Sequence, residues 1–157
     1  MPTAAIFVDV QNIYYTCREA FARQFNYRML YQQLADEYNI SHAFAYAIDS
    51  QNEGQKKFQS ALRHMGFEVK LKPYIQRSDG SSKGDWDVGI TLDVIDYAKD
   101  VEHIFLMSGD GDFDLLLQRV SQRYDVVTHV IGVEPLTATS LVQQCDFFHP
   151  VTLEQLI

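Results

Sequence analysis

Short apolar runs alternate along this chain with segments whose apolar residues recur at helical spacing, and this alternation strongly restricts the fold. The strand-like runs are residues 4–10, 42–49, 67–75, 103–107 and 126–133, with a final edge strand at 146–150. Helical spacing is found within residues 13–21, 30–38, 58–65, 88–95, 113–120 and 139–144. A succession of strand and helix predicts parallel strands with helices on both faces. We therefore predict an α/β fold, a doubly wound, mainly parallel sheet of about five strands with the first strand central.

The length and composition fit one domain spanning residues 1–157. The longest apolar runs fall well short of the roughly 20 residues that a membrane span requires, so we expect no membrane association. The N-terminus lacks a basic leader, which predicts a cytoplasmic protein. Cys17 and Cys145 are far apart, and the five histidines show no metal-ligand spacing, so neither a disulfide framework nor a zinc site is expected.

Aspartates follow or precede strands at positions that a parallel sheet brings together. Asp9 ends the first strand, Asp110 follows the strand at 103–107, and Asp87 opens the helix before that strand. In an open parallel sheet, ligands bind beyond the carboxyl ends of the strands, where the chain order reverses. Asp114 lies in the first turn of the next helix and can turn back towards the same crevice.

Carboxylates gathered in one crevice repel one another and raise each other's pKa unless a cation shares the site. Ligands that are all oxygen favour hard ions, here Mg²⁺ or Mn²⁺. Such ions lower the pKa of a bound water, orient it, and neutralise charge on the leaving oxygen. The pattern therefore predicts hydrolysis of a phosphodiester.

Aspartate and asparagine are also favoured at helix N-termini, which gives several of these residues an alternative role. Asp85 or Asp87 is placed to cap the helix that follows, and Asp112 is placed to cap the helix entered at 113. Asn12 is placed either to cap the first helix or to face the crevice and hold a phosphate or a metal-bound water. Asp9 has no capping role in this interpretation, because a carboxylate that ends a central strand needs a partner.

Several residues near these acids have side chains or backbone groups suited to binding a nucleic acid. Ser108, with the glycines on either side of Asp110, can bring backbone N–H groups towards an anion. Lys83 can bind a phosphate, although a solvated loop lysine is an equally good interpretation. Trp86, Tyr14 and Tyr15 can stack on unpaired bases or pack on the rim.

The charge distribution bears on the same question. The net charge is −8, whereas nucleic-acid binders usually carry a basic surface. Residues 56–83 carry seven basic and two acidic residues, a local charge of +5. Residues 76–84 contain enough turn-forming residues to act as a flexible flap.

Three segments together resemble the NYN domain family, specifically its LabA-like branch, within the PIN-like nuclease group. They are residues 7–12 (Phe-Val-Asp-Val-Gln-Asn), 83–88 (Lys-Gly-Asp-Trp-Asp-Val) and 108–114 (Ser-Gly-Asp-Gly-Asp-Phe-Asp). The resemblance implies a Rossmann-like sheet and a metal-dependent ribonuclease that leaves 5′-phosphate ends, with single-stranded RNA as the expected substrate. The catalytic acids that it implies are Asp9, Asp87, Asp110 and Asp114, with Asp112 as a further metal ligand and Asn12 beside them.

The second segment departs from the family's Lys-Gly-x-Asp pattern, because Lys83-Gly84 is followed by Asp85-Trp86-Asp87. Either aspartate can therefore point inward. The apolar stripe of the following helix, interpreted as Val88, Thr91, Leu92 and Ile95, favours Asp87.

Rival functions can be weighed against the same residues. A phosphatase of the haloacid-dehalogenase type needs a second aspartate two residues after the nucleophile, and Asp9 is followed by Val10 and Gln11. A receiver domain needs a lysine at the end of the fifth strand, where residues 131–133 are Ile-Gly-Val. The stronger alternative is a non-catalytic metal- or RNA-binding module that acts through protein partners. An edge strand near residues 147–148 could also pair with a second copy and form a homo-oligomer.

Overall fold

The computed structural model describes residues 1–73, 75–76, 82–83 and 85–157, and for 75–76 and 82–83 it describes the backbone alone. Apart from the backbone of residues 76, 82 and 83, the flap predicted at 76–84 lies outside the described residues, as does the side chain of Lys83. The strands are β1 Thr3–Asp9, β2 Asn39–Asp49, β3 Glu68–Pro73, β4 Ile75–Gln76, β5 Ser82–Lys83, β6 His103–Met107, β7 Val127–Gly132 and β8 Phe147–Pro150. The helices are α1 Val10–Phe21, α2 Tyr27–Glu37, α3 Glu53–Met65, α4 Asp87–Ala98, α5 Asp114–Tyr124 and α6 Thr139–Gln144, with 3-10 turns at Gly111–Phe113, Glu134–Leu136 and Leu153–Gln155.

Six strands form one parallel sheet in the order β3-β2-β1-β6-β7-β8. The predicted doubly wound α/β fold is confirmed, and β1 is central as expected. Within the described residues the sheet has six strands rather than about five, because the predicted edge strand, β8, pairs in parallel with β7. The strand order reverses between β1 and β6, so the crevice expected for a ligand lies at the carboxyl ends of these two strands.

Apolar side chains cover both faces of the sheet. β1 is buried throughout its centre, since Ala4 to Val8 have no exposed surface. Alternate β1 residues supply opposite faces, and each buried large apolar side chain contributes roughly 1.5–3 kcal/mol. One cluster includes Ile6, Val8, Ile13, Cys17, Leu30, Leu62 and Phe67. The other includes Phe7, Phe44, Tyr46, Ile90, Val94, Leu106, Phe113 and Leu117.

The core-facing side of α4 differs from the prediction. Ile90, Val94 and Ala98 are buried, whereas Val88 and Leu92 are 70% and 58% exposed. Both sets recur at helical spacing, because apolar residues occur around most of this helix, so periodicity alone could not choose between them. The predicted stripe was therefore wrong for these two residues.

Three histidines form a row across neighbouring strands of the sheet. The ring nitrogens Nδ1 of His103 and Nε2 of His129 are 2.9 Å apart, and Nδ1 of His129 and Nε2 of His149 are also 2.9 Å apart. The His129 ring stacks on Phe105 with a centroid distance of 4.1 Å. The row lies on strands β6, β7 and β8, and it links the edge strand to the interior of the sheet.

Among the described helices, we find none that combines the length and the apolar character needed to cross a membrane.

Candidate metal centre

Asp9 is a buried carboxylate at the end of β1. It is 8% exposed, and its oxygens accept hydrogen bonds from the Ser108 hydroxyl (3.0 Å) and the Asn12 backbone N–H (3.4 Å). The second contact makes Asp9 the N-cap of α1. The expectation that Asp9 has no capping role was therefore wrong, and of the two roles considered for Asn12 the structure excludes the cap. Ser108 is fully buried and fixes the orientation of the Asp9 carboxylate.

The Asn12 side chain joins α1 to the loop after β6. Its Oδ1 atom accepts a hydrogen bond from the Gly109 N–H at 2.9 Å. A side chain at Gly109 would place its Cβ 2.7 Å from the Leu136 carbonyl oxygen, so only glycine fits this close approach. The Gly109 N–H was expected to be open to an anion, but it bonds to Asn12 instead. Asn12 thereby holds the loop that carries Asp110 against the helix that begins at Asp9.

The segment after β6 presents two acids through a 3-10 turn. Asp110 caps this turn, since its Oδ1 atom accepts a hydrogen bond from the Asp112 N–H at 2.9 Å. The Asp110 N–H in turn donates to the Ser108 hydroxyl oxygen at 3.2 Å. The N-cap of α5 is Phe113, which makes no side-chain capping bond, so the expectation that Asp112 caps this helix was wrong. The Asp112 carboxylate is exposed.

Asp87 is brought to the same point by the start of α4. It is half-buried, and the Asp87 backbone carbonyl accepts a hydrogen bond from the Thr91 hydroxyl at 2.7 Å. The preceding Trp86 donates its indole N–H to the Ala47 carbonyl at 2.8 Å, which anchors the start of α4 to β2. Asp85 is exposed, and its Oδ1 atom is 3.4 Å from the Asp87 N–H.

One carboxylate oxygen each from Asp87, Asp110 and Asp112 lies within 4.8 Å of the other two. Asp9 and Asp114 lie outside this group of three within the described part of the chain. Asp9 is nevertheless close enough to interact electrostatically with Asp110 and Asp87. Asp114, the first residue of α5, accepts a hydrogen bond from the Leu115 N–H.

Burial and mutual repulsion make two of these acids hard to ionise. Burial raises the pKa of Asp9 to about 6, and the Asp110 and Asp85 carboxylates add to the rise, while the bonds from Ser108 and Asn12 oppose it. The pKa of Asp87 is raised to about 7, mainly by burial. Its hydrogen bond with Asp110 and the negative charges of Asp110, Asp85 and Asp9 also contribute to this rise. A cation among these groups would favour their charged forms.

The donor set fits a hard divalent cation. Asp87, Asp110 and Asp112 offer carboxylate oxygens only, within the mutual distance that one ion can bridge, and Asp9 stands beside them. Mg²⁺ and Mn²⁺ prefer such oxygen ligands. Such a cation would also relieve the electrostatic repulsion within the cluster.

Ser108 and Trp86, which were predicted to bind substrate, make contacts within the protein that hold neighbouring acidic residues in place. The Ser108 hydroxyl contacts Asp9 and the Asp110 N–H. The Trp86 ring packs at 5.3 Å from the Tyr46 ring, and the Lys72 ammonium lies 4.8 Å from the Trp86 ring centroid. These contacts could not be identified from the sequence, because Tyr46, Ala47 and Lys72 lie on strands remote from Trp86 along the chain.

The six-stranded parallel sheet with helices on both faces and an acidic crevice at the reversal of strand order defines a Rossmann-type, PIN-like α/β protein. Residues 3–154 match the NYN domain, and the chain belongs to that family. It is 25% identical over 150 residues to the low amplitude and bright protein LabA of Synechococcus elongatus, covering 90% of this chain and 80% of LabA. It is also similar to the crystal structure of a protein of unknown function from Vibrio parahaemolyticus. That likeness has 50% identity and a TM-score of 0.95, and it covers 99% of this chain and 96% of the other.

Proposed function

We propose that this protein is a metal-dependent ribonuclease that hydrolyses phosphodiesters in single-stranded RNA and leaves 5′-phosphate ends. The observation that carries the proposal is the convergence of Asp87, Asp110 and Asp112 within 4.8 Å, beside the buried Asp9. Carboxylates that repel one another at a sheet edge are costly to maintain without a cation, and a cation so held serves phosphoryl chemistry. Membership in the NYN domain family, which generally consists of nucleases, supports the same activity.

In this proposal, Asp87, Asp110 and Asp112 are the residues that would hold Mg²⁺ or Mn²⁺. Asp9 and Asp114 lie outside this closest group and are proposed as further acids of the catalytic site. Such an ion lowers the pKa of water, orients it and stabilises the charge of the transition state. Hydrolysis then adds hydroxyl to phosphorus and breaks the bond to the 3′-oxygen, which leaves with a proton. The Ser108 hydroxyl fixes the orientation of Asp9, and Asn12 holds the loop that carries Asp110. Lys83 and Trp86 remain proposed contacts of the RNA.

The test is cleavage of a labelled single-stranded RNA in the presence of Mn²⁺. We expect products with 5′-phosphate ends from the wild type and loss of about two orders of magnitude or more in Asp9→Asn and Asp110→Asn, because each removes a charge that serves the ion. The matched control is Asp96→Asn, which removes an exposed acid of α4. Equal cutting by all four proteins would contradict the proposal and identify a contaminating nuclease.

The second candidate is a regulatory module in the cytoplasm that binds metal or RNA and acts through protein partners, including a second copy. The net charge of −8 favours it, since phosphate binding usually draws on basic residues. Binding of Mn²⁺ without cleavage of several unrelated RNAs would favour this function over the nuclease.

A further inference from the structure

Two neighbouring tyrosines are exposed on α1, shortly after Asp9. Tyr14 is 41% and Tyr15 60% exposed. Their rings lie 5.6 Å apart between centroids at an interplanar angle of 76°. Large aromatic side chains with a polar tip are suited to surfaces that contact another molecule, because much of their apolar area is covered only on binding. The packing of the fold leaves Tyr15 mostly exposed and Tyr14 partly exposed.

A cation accompanies this pair. The Arg18 guanidinium donates a hydrogen bond from Nη1 to the Tyr14 hydroxyl at 2.9 Å, and its central carbon lies 5.9 Å from the Tyr14 ring centroid. Tyr14 and Arg18 are four residues apart and therefore lie on the same side of α1. The surface thus combines two aromatic rings with a planar cation, which is the combination that stacks on unpaired bases.

The helix that carries this surface is tied to the acidic centre. Asp9 caps α1, and Asn12 bonds to Gly109 in the loop before Asp110. Tyr14 and Tyr15 are five and six positions beyond Asp9, so they lie about 7–9 Å from it along the helix axis. A strand of RNA whose phosphodiester lies at the acidic centre would therefore bring adjacent nucleotides near these rings.

We propose that Tyr14, Tyr15 and Arg18 form a stacking platform for unpaired bases of the RNA strand that enters the acidic centre. The proposal rests on the proposed nuclease function and identifies the residues that recognise its single-stranded substrate. Duplex RNA hides its base faces in the helical stack, so the platform selects single strands. Stacking on bases needs few phosphate contacts, so we expect the affinity for RNA to depend only weakly on salt concentration.

The experiment measures binding of a short fluorescent RNA by anisotropy in metal-free buffer with EDTA, where no metal-dependent cleavage occurs. The variants are Tyr14→Ala and Tyr15→Ala, with Tyr14→Phe and Tyr15→Phe as conservative partners that keep the ring. Phe147→Ala is the matched control, since Phe147 is a 54% exposed aromatic on the edge strand β8. Circular dichroism checks that each variant is folded, which we expect because neither tyrosine is part of the buried core.

We expect each alanine variant to bind single-stranded RNA about tenfold or more weakly, and the phenylalanine variants and Phe147→Ala to bind like the wild type. Wild-type protein should bind duplex RNA of the same sequence much more weakly than the single strand. Equal affinities of the alanine variants and the wild type, equal affinities for single strand and duplex, or failure of the wild type to bind any single strand would overturn the platform. Altered oligomeric state with unchanged RNA binding would also overturn it and assign the tyrosines to a protein contact.

The platform and the nuclease can fail separately. RNA binding that depends on the tyrosines, without cleavage in Mn²⁺, would remove the nuclease function and keep the platform. Cleavage that depends on Asp110, with the KM of the alanine variants unchanged, would keep the nuclease and remove the platform.

Discussion

His129 is the buried middle ring of the three-histidine row, at 4% exposure. Burial lowers its pKa to about 4, the neighbouring His149 and His103 add to the fall, and Asp146 opposes it. Burial also lowers the pKa of His149, with Glu37 of α2 acting against it. Two hydrogen bonds join the three rings, and each link holds one proton. When the three rings take up further protons, an N–H of one ring must face an N–H of its neighbour, and the hydrogen bond between them is lost.

This residue predicts a pH dependence of stability. The folded pKa of His129 lies below its unfolded value of about 6.5, so the unfolded chain binds more protons between these values. Its contribution is present above pH 6.5 and is lost as pH falls towards 4, by up to about 1.4 kcal/mol per pH unit. Urea unfolding between pH 7.5 and 4.5 measures this loss. His129→Phe should flatten the profile relative to the wild type, whereas His64→Gln, an exposed control, should leave it unchanged.

For single residues, the sequence identified important positions better than it identified the groups to which they are hydrogen-bonded. Asp9 was predicted as an acid that needs a partner, but its partners, Ser108 and the Asn12 N–H, were not identified. Ser108 is 99 positions away along the chain, and local sequence patterns carry no information on such a contact. Asn12 was assigned either to a cap or to the crevice; the structure excludes the cap and shows a bond to Gly109, which the sequence could not indicate.

Helix α4 shows how a preference for one residue can rest on a wrong pattern. Asp87 was preferred over Asp85 because of a stripe through Val88 and Leu92, both of which are exposed. The structure does place Asp87 near Asp110, but Trp86 is responsible: it anchors the helix start to Ala47 of β2. A Cβ on Gly89 would lie 2.5 Å from the Trp86 ring, so the glycine admits this packing. The anchor depends on contacts between elements, which helical periodicity does not encode.

Because α4 buries Ile90 and exposes Leu92, we expect similar substitutions at the two positions to have different effects on stability. Ile90→Ala removes a side chain with no exposed surface and should lower the free energy of unfolding by about 2–5 kcal/mol. Leu92→Ala, two residues away, removes a 58% exposed side chain and should change it by less than about 0.5 kcal/mol. Chemical denaturation of both variants compares the two values. A larger loss for Leu92→Ala would mean that this face of α4 is covered in solution.

At the scale of the whole molecule, the sheet order brings together acids that are separated by up to about a hundred residues. The strand and helix pattern was sufficient to predict a parallel sheet with β1 central, because local periodicity and β-strand length determine the elements. The gathering of Asp87 and Asp110 at this edge, with Asp9 close enough to interact with their charges, then followed from the rule that ligands bind where strand order reverses. That rule does not resolve side-chain directions, so it could not foresee that Asp112 would join the closest group and that Asp114 would lie outside it.

The central claim is that Asp87, Asp110 and Asp112 share one hard cation, and titration calorimetry with Mn²⁺ tests it most directly. Because ions bind the deprotonated carboxylates and the pKa of Asp87 is raised to about 7, affinity should fall as pH is lowered from 8 to 6. We expect saturable binding by the wild type and Asp96→Asn at pH 7.5, and at least about tenfold weaker binding by Asp87→Asn and Asp110→Asn. Equal Mn²⁺ affinity in all four proteins would contradict the account.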